Sequence, residues 1–263
     1  MGSFRAAYVR ELRGALGDPL RLPLGLAINA ALFAGAWFVL PESWTTGTLF
    51  KIHAGWAFPT ILASWMLADT FATNVFAGEA TRMLALLDDP AELRRVLHAK
   101  DLVLWTLVVP ACTLVALLAG AFVDQDLRLA AGIVIIAAMP LAALGIAPVV
   151  GVLPPYHPIP LMSRWRNRRK LRLRNVRWAA LVVLPYVLIG PLAGIALAPT
   201  VGLWLATSGN LTHNPPVWAD VVGVLLAITT ATAAWLGGNA ATLRMVQRRR
   251  PRLEAYLRDP SRG

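Results

Sequence analysis

Cysteine is all but missing from this chain of 263 residues: Cys112 stands alone. No intrachain disulfide can form, and a lone thiol within an apolar stretch reads as a small packing residue. Acidic residues are also scarce, 14 Asp and Glu against 25 Lys and Arg. Histidine is limited to His53, His98, His157 and His213. Two of them are expected on each side of a membrane, so no three converge easily on one metal. The chain has no H-E-x-x-H, no paired glutamates followed by arginine, and no spaced aspartates accompanied by glycine and arginine. Those absences weigh against an intramembrane enzyme. The phosphate-cradling sequence G-x-x-x-x-G-K-S/T is missing as well, so the chain has no nucleotide-binding P-loop of its own. The expectation is a non-catalytic chain without metal or cofactor.

What the chain has is apolar length. Hydrophobic residues make up 57% and charged residues only 15%. They group into six runs, 22–40, 55–77, 102–123, 129–153, 178–198 and 217–238. At about 1.5 Å per residue each can cross a hydrocarbon core of roughly 30 Å. The expected fold is therefore all-α: a polytopic membrane protein with six transmembrane helices in one domain spanning 1–263.

The net charge of +11 is distributed rather than pooled. Of the 25 Lys and Arg, 23 fall before the first run, between the second and third, between the fourth and fifth, and after the sixth. Only Lys51 and Arg128 lie in the alternate loops. This is the positive-inside pattern, which predicts a multi-pass protein of the cell membrane with both termini cytoplasmic. The basic excess is a topology signal, and no nucleic-acid partner is expected.

Several local features bear on function. Phe4, Tyr8, Leu12, Ala15 and Leu16 recur at helical spacing, with Arg5, Arg10, Glu11 and Arg13 on the remaining surface. That predicts an amphipathic helix lying in the membrane interface before Asp18-Pro19 breaks it. Asn29 within the first run needs an interhelical partner. The second run ends in Asp69, Thr70, Thr73 and Asn74. Such residues either line a translocation path or sit where the helix leaves the membrane. After Pro199 the stretch 201–206, VGLWLA, reads as a short half-helix. The loop 164–175, RWRNRRKLRLRN, reads as a solvated basic face against anionic lipid head groups.

The stretch 78–101, GEATRMLALLDDPAELRRVLHAKD, is compact, charged and well punctuated. Asp89 can cap a helix, Pro90 suits its first position and Glu92 can reach back to complete a capping box. Leu93, Val96 and Leu97 form an apolar face; Arg94, Arg95 and His98 form a basic one. Lys100 suits the negative pole at the end of a short helix. Met83, Leu84, Leu86 and Leu87 supply a second apolar patch, and the whole reads as a hinged pair of short helices.

The pattern Asn74-x-Phe76-x-Gly78-Glu79, then Met83, Leu86-Leu87, Pro90 and Leu97-x-Ala99-Lys100, resembles the region between the second and third spans of type 2 ABC transporter permeases. The resemblance implies a cytoplasmic coupling helix at 89–99, seated in a groove of a separate ATP-binding subunit. It places Glu79, Arg82, Asp89, Pro90, Glu92, Leu93, Arg94, Arg95, Val96, Leu97 and Lys100 at that docking junction. Asn29, Asp69, Thr70 and Asn74 would be polar residues of the translocation path. It implies a second permease chain, identical or related, with ATP and Mg bound by the partner subunit. The implied function is the membrane-spanning subunit of an ABC exporter for a hydrophobic or amphipathic substrate. The basic loop of about two dozen residues between spans four and five departs from the tight turn usual in that family. The alternatives are an ion-coupled or passive carrier or assembly subunit and, behind it, an intramembrane enzyme. For a carrier, only Asp69 qualifies as an intramembrane carboxylate.

Overall fold

A computed structural model describes residues 3–17, 22–39, 62–63, 66, 70–122, 129–153, 155, 157, 161–167, 169–170, 172–209 and 216–259. Every regular element among them is helical. In chain order these are α1 (Phe4–Gly17), α2 (Leu22–Val39), α3 (Thr70–Thr73), a single 3₁₀ turn at Ala77–Glu79, α4 (Ala80–Leu86) and α5 (Pro90–Phe122). There follow α6 (Leu129–Val152), α7 (Leu161–Arg166), α8 (Arg172–Ser208) and α9 (Val217–Leu257).

Four helical stretches are long and apolar enough to cross a membrane: Pro90–Leu114, Gly132–Val152, Trp178–Ser208 and Val217–Leu257. They correspond to the third to sixth expected spans. The first is occupied by α2, whose side chains are described as far as Leu32. About half of the second, 55–77, lies outside the described residues, Asp69 included.

Two expected breaks are absent. No turn follows Ala99: the helix begun at Pro90 continues through Lys100 and Asp101 into the third span as one helix of 33 residues. Ala-Lys-Asp-Leu contains no helix breaker, so nothing in the backbone stops it. Lys100 is accordingly in mid-helix, not at a C-terminal pole. Nor does Pro199 end α8, which runs on through 201–206 to Ser208. Proline's lost hydrogen bond is offset there by close packing on α9. The Thr200 hydroxyl donates to the Gly223 carbonyl at 3.1 Å, and the Trp204 indole donates to the Ala219 carbonyl at 3.3 Å.

Glycine sets the helix crossings. A β-carbon on Gly145 of α6 would stand 2.5 Å from the Ala234 carbonyl oxygen of α9, and one on Gly238 would strike the Gly145 carbonyl. The two backbones touch where neither has a side chain. On Gly223 a β-carbon would meet the Trp204 ring at 2.5 Å. Around these crossings lies a core that includes Leu104, Val108, Cys112, Ile136, Leu144, Ile189 and Ala231. Outward, α8 and α9 expose Val183, Val187, Ile195, Val221, Leu225 and Ile228, the surface a bilayer would cover.

A second core stands apart. Val75, Phe76, Met83, Leu87, Leu93, Val96 and Leu97 pack with Val152 and with Leu243, Val246, Leu253, Tyr256 and Leu257 of α9. At 41 residues α9 is about 60 Å long, roughly twice a hydrocarbon thickness. Its far half forms one wall of this second core.

Candidate functional site at the basic end

The second core gathers segments that the sequence keeps apart, residues 75–97, Val152 and the end of α9. His157 is held there by three contacts with Tyr256. Its Nε2 donates to the Tyr256 carbonyl at 2.8 Å, its backbone N–H donates to the Tyr256 hydroxyl at 3.3 Å, and the rings stack at 4.9 Å.

The N-terminal end of α5 is built as the sequence indicates, with one change. Asp89 Oδ1 accepts the backbone N–H of Ala91 at 3.0 Å and of Glu92 at 2.9 Å, which is a side-chain cap. The reciprocal half of the box does not form. The Asp89 N–H already donates to the Leu86 carbonyl at 3.2 Å, so Glu92 turns instead to Arg95 and lies 4.0 Å from Arg10.

Around this end lies a four-member charge network. Glu11 of α1 pairs with Arg82 of α4 through both carboxylate oxygens, and Lys100 Nζ lies 3.2 Å from Glu11. Glu79 accepts from Arg82 at 2.8 Å and also pairs with Lys100. Burial by itself would raise the Glu11 carboxyl, but the Arg82 hydrogen bonds and the Lys100 charge outweigh it and hold it below its ordinary 4.5. The same balance, with Lys100 the main counter to burial, lowers Glu79. The Glu11 hydrogen bond in turn raises Arg82 further.

This network corrects the reading of α1. Glu11 was expected on its polar surface, yet it is buried together with Ala7, and α1 packs along α5, with the Tyr8 hydroxyl 3.0 Å from Thr106 Oγ1. Two cations in the opposite wall draw the carboxylate inward. Phe4 and Leu16 remain exposed at either end.

The residues assigned to docking divide into four sets. Leu93, Val96 and Leu97 are 2%, 0% and 1% exposed, so their apolar face is already covered by α9 and is not open to a partner. Glu79, Arg82 and Lys100 are engaged within the chain. Asp89, Pro90 and Arg94 are exposed, beside exposed Ala91 and Asp88, the latter paired with Arg250 of α9; Glu92 and Arg95 are half-buried at the edge of this surface. Of the expected path residues, Asn29 and Asn74 are buried and Thr70 opens α3.

Sequence reading passed over Asp101. It is 3% exposed, and its Oδ2 accepts from the Trp235 indole and from Asn239 Nδ2, each at 2.9 Å. His98, one turn earlier, lies against Trp235 with ring centroids 4.9 Å apart. The available signal was an acidic residue at the mouth of an apolar run and an asparagine beyond the expected end of another; nothing in sequence spacing joins positions so far apart.

No protein family, curated protein or solved structure matches this chain.

Proposed function

We propose that this chain is the membrane-spanning permease subunit of an ABC exporter, moving a hydrophobic or amphipathic substrate with ATP hydrolysed by a separate subunit. The observation that carries the reading is the continuity of α5. A capped, exposed helix end is continuous with a membrane-length helix and is braced on one side by α1 and on the other by α9. A partner pressing on residues 88–91 and on Arg94 would act on the start of the same helix that continues as the span. That is what coupling nucleotide-driven motion to a path between helices requires. In this reading both termini face the cytoplasm, a second permease chain completes the path, and ATP and Mg belong to the partner.

The test is a gentle pull-down of the tagged full chain from its own membranes, with Cys112→Ser and a cysteine introduced by Ala91→Cys for crosslinking. Recovery of an ATP-binding subunit crosslinked through position 91 supports the reading. Recovery of the chain alone, monodisperse, sinks it. One observation favours a second reading, an ion-coupled carrier: the buried Asp101 has no cation beside it among the described residues.

A further inference from the structure

We propose that Asp101 and Asn239 form a proton-binding site at the contact of α5 with α9, the proton lying between the Asp101 carboxyl and the Asn239 amide oxygen. The site is built from this chain alone and does not depend on the ATP-driven reading.

Two independent observations meet here. The first is a buried acid without a counter-ion among the described residues. Both donors to Asp101, the Trp235 indole and the Asn239 amide, are neutral and converge on Oδ2. The charged groups nearby are committed elsewhere. Lys100 turns to Glu11 and Glu79, and Arg82 of α4 to the same pair. From α1 come Glu11, so engaged, and Tyr8, bonded to Thr106. Neither α6 nor α9 between Val221 and Leu243 has a titratable residue. His98 lies against Trp235. An ionised carboxylate in such a place keeps its desolvation cost uncompensated.

The second is an orphan acceptor on the same partner. Asn239 is 1% exposed and uses Nδ2 twice, on Asp101 and on the Trp235 carbonyl at 3.1 Å, while its buried Oδ1 has no hydrogen-bond partner among the described residues. A protonated carboxyl gains an O–H donor where the carboxylate has only acceptors. A proton on Asp101 therefore removes the uncompensated charge and fills the vacant acceptor of the amide already bonded to it. It comes from water and returns to water, with no other reactant. Binding it adds a hydrogen bond between α5 and α9; releasing it leaves a bare charge at the same contact.

Infrared difference spectroscopy on the full chain in phosphatidylcholine nanodiscs tests this, because the C=O stretch of a protonated carboxyl is separate from carboxylate bands. The expected result is a protonated-carboxyl band at neutral pH that shifts in deuterium oxide, disappears on alkaline titration and is lost in Asp101→Asn. Absence of the band from the wild type, or its survival in Asp101→Asn, overturns the proposal. So does its loss on replacing choline chloride by sodium chloride at constant pH, which would make the ligand a small metal cation. Should Asp101→Asn fail to fold, Asn239→Leu serves instead: the carboxyl stretch moves to higher frequency as its amide partner goes, and an unmoved band overturns the assignment.

Discussion

At the scale of single residues, electrostatic partnership decides more than polarity does. Glu11 belongs to a helix whose pattern assigns it to water, yet the paired charges of Arg82 and Lys100 hold it inside. Glu11→Gln should cost on the order of 2 kcal/mol, since it removes a charge-assisted partner from two half-buried cations; a lowered thermal midpoint in detergent would register it. Because the folded-state values of Glu11 and Glu79 lie below 4.5, their contribution is full above that value and is lost as pH falls through the lowered ones. Amide exchange in α1 should therefore stay slow from neutral pH down to 4.5 and accelerate, relative to the intrinsic rate, as the pH falls further. Asp89→Ala removes both cap hydrogen bonds and should cost about 1 kcal/mol, fraying the first turn of α5. The cap was legible in sequence because its donors are two and three residues away. The Glu92 half was not, because its competitor, the Leu86 carbonyl, becomes available only once α4 has folded.

At the scale of elements, helix crossings turn on glycines that sequence alone cannot rank. Gly237 and Gly238 are neighbours and equally unfavourable in a helix. Around a β-carbon on Gly237 nothing lies within 4 Å, whereas one on Gly238 would strike the Gly145 backbone. Gly237→Ala should thus stabilise by about 0.5–1 kcal/mol. Gly238→Ala should destabilise by about 1–3 kcal/mol or prevent folding, since the obstacle is backbone and cannot rotate away. Thermal unfolding of the two variants side by side checks the opposite signs. The apolar runs that became α5, α6, α8 and α9 were readable because length and hydropathy are local. The fusion of 89–99 into the third span, and of 201–206 into α8, turns on whether neighbouring packing sustains the helix, which no local pattern records.

For the whole molecule, the far half of α9 is the part that ties the basic end together. It covers Leu93, Val96 and Leu97 and contributes Arg250 to Asp88. A chain ending after Thr242 should insert its spans but expose that apolar face. Trypsin would then cut rapidly after Arg94 and Arg95, sites that should resist in the full chain; equal cleavage of both would show that α9 does not protect them. The same cover leaves less of the segment 89–99 exposed than the sequence indicates. A face of leucine and valine at helical spacing looks the same whether a second protein or a distant helix of the same chain will bury it.

The sequence by itself determined the membrane class, the alternation of basic and neutral loops, the positions of most long helices and the capped start at Asp89. Each is a property of composition or of spacing within a few residues, where hydrophobic transfer and local hydrogen bonding act. Only the tertiary structure decided that Glu11 is buried, that Leu93, Val96 and Leu97 belong to an internal core, and that Asp101 meets Asn239. Those outcomes depend on contacts between positions 71 to 138 residues or more apart in the chain. Their energies exist only once the helices have packed.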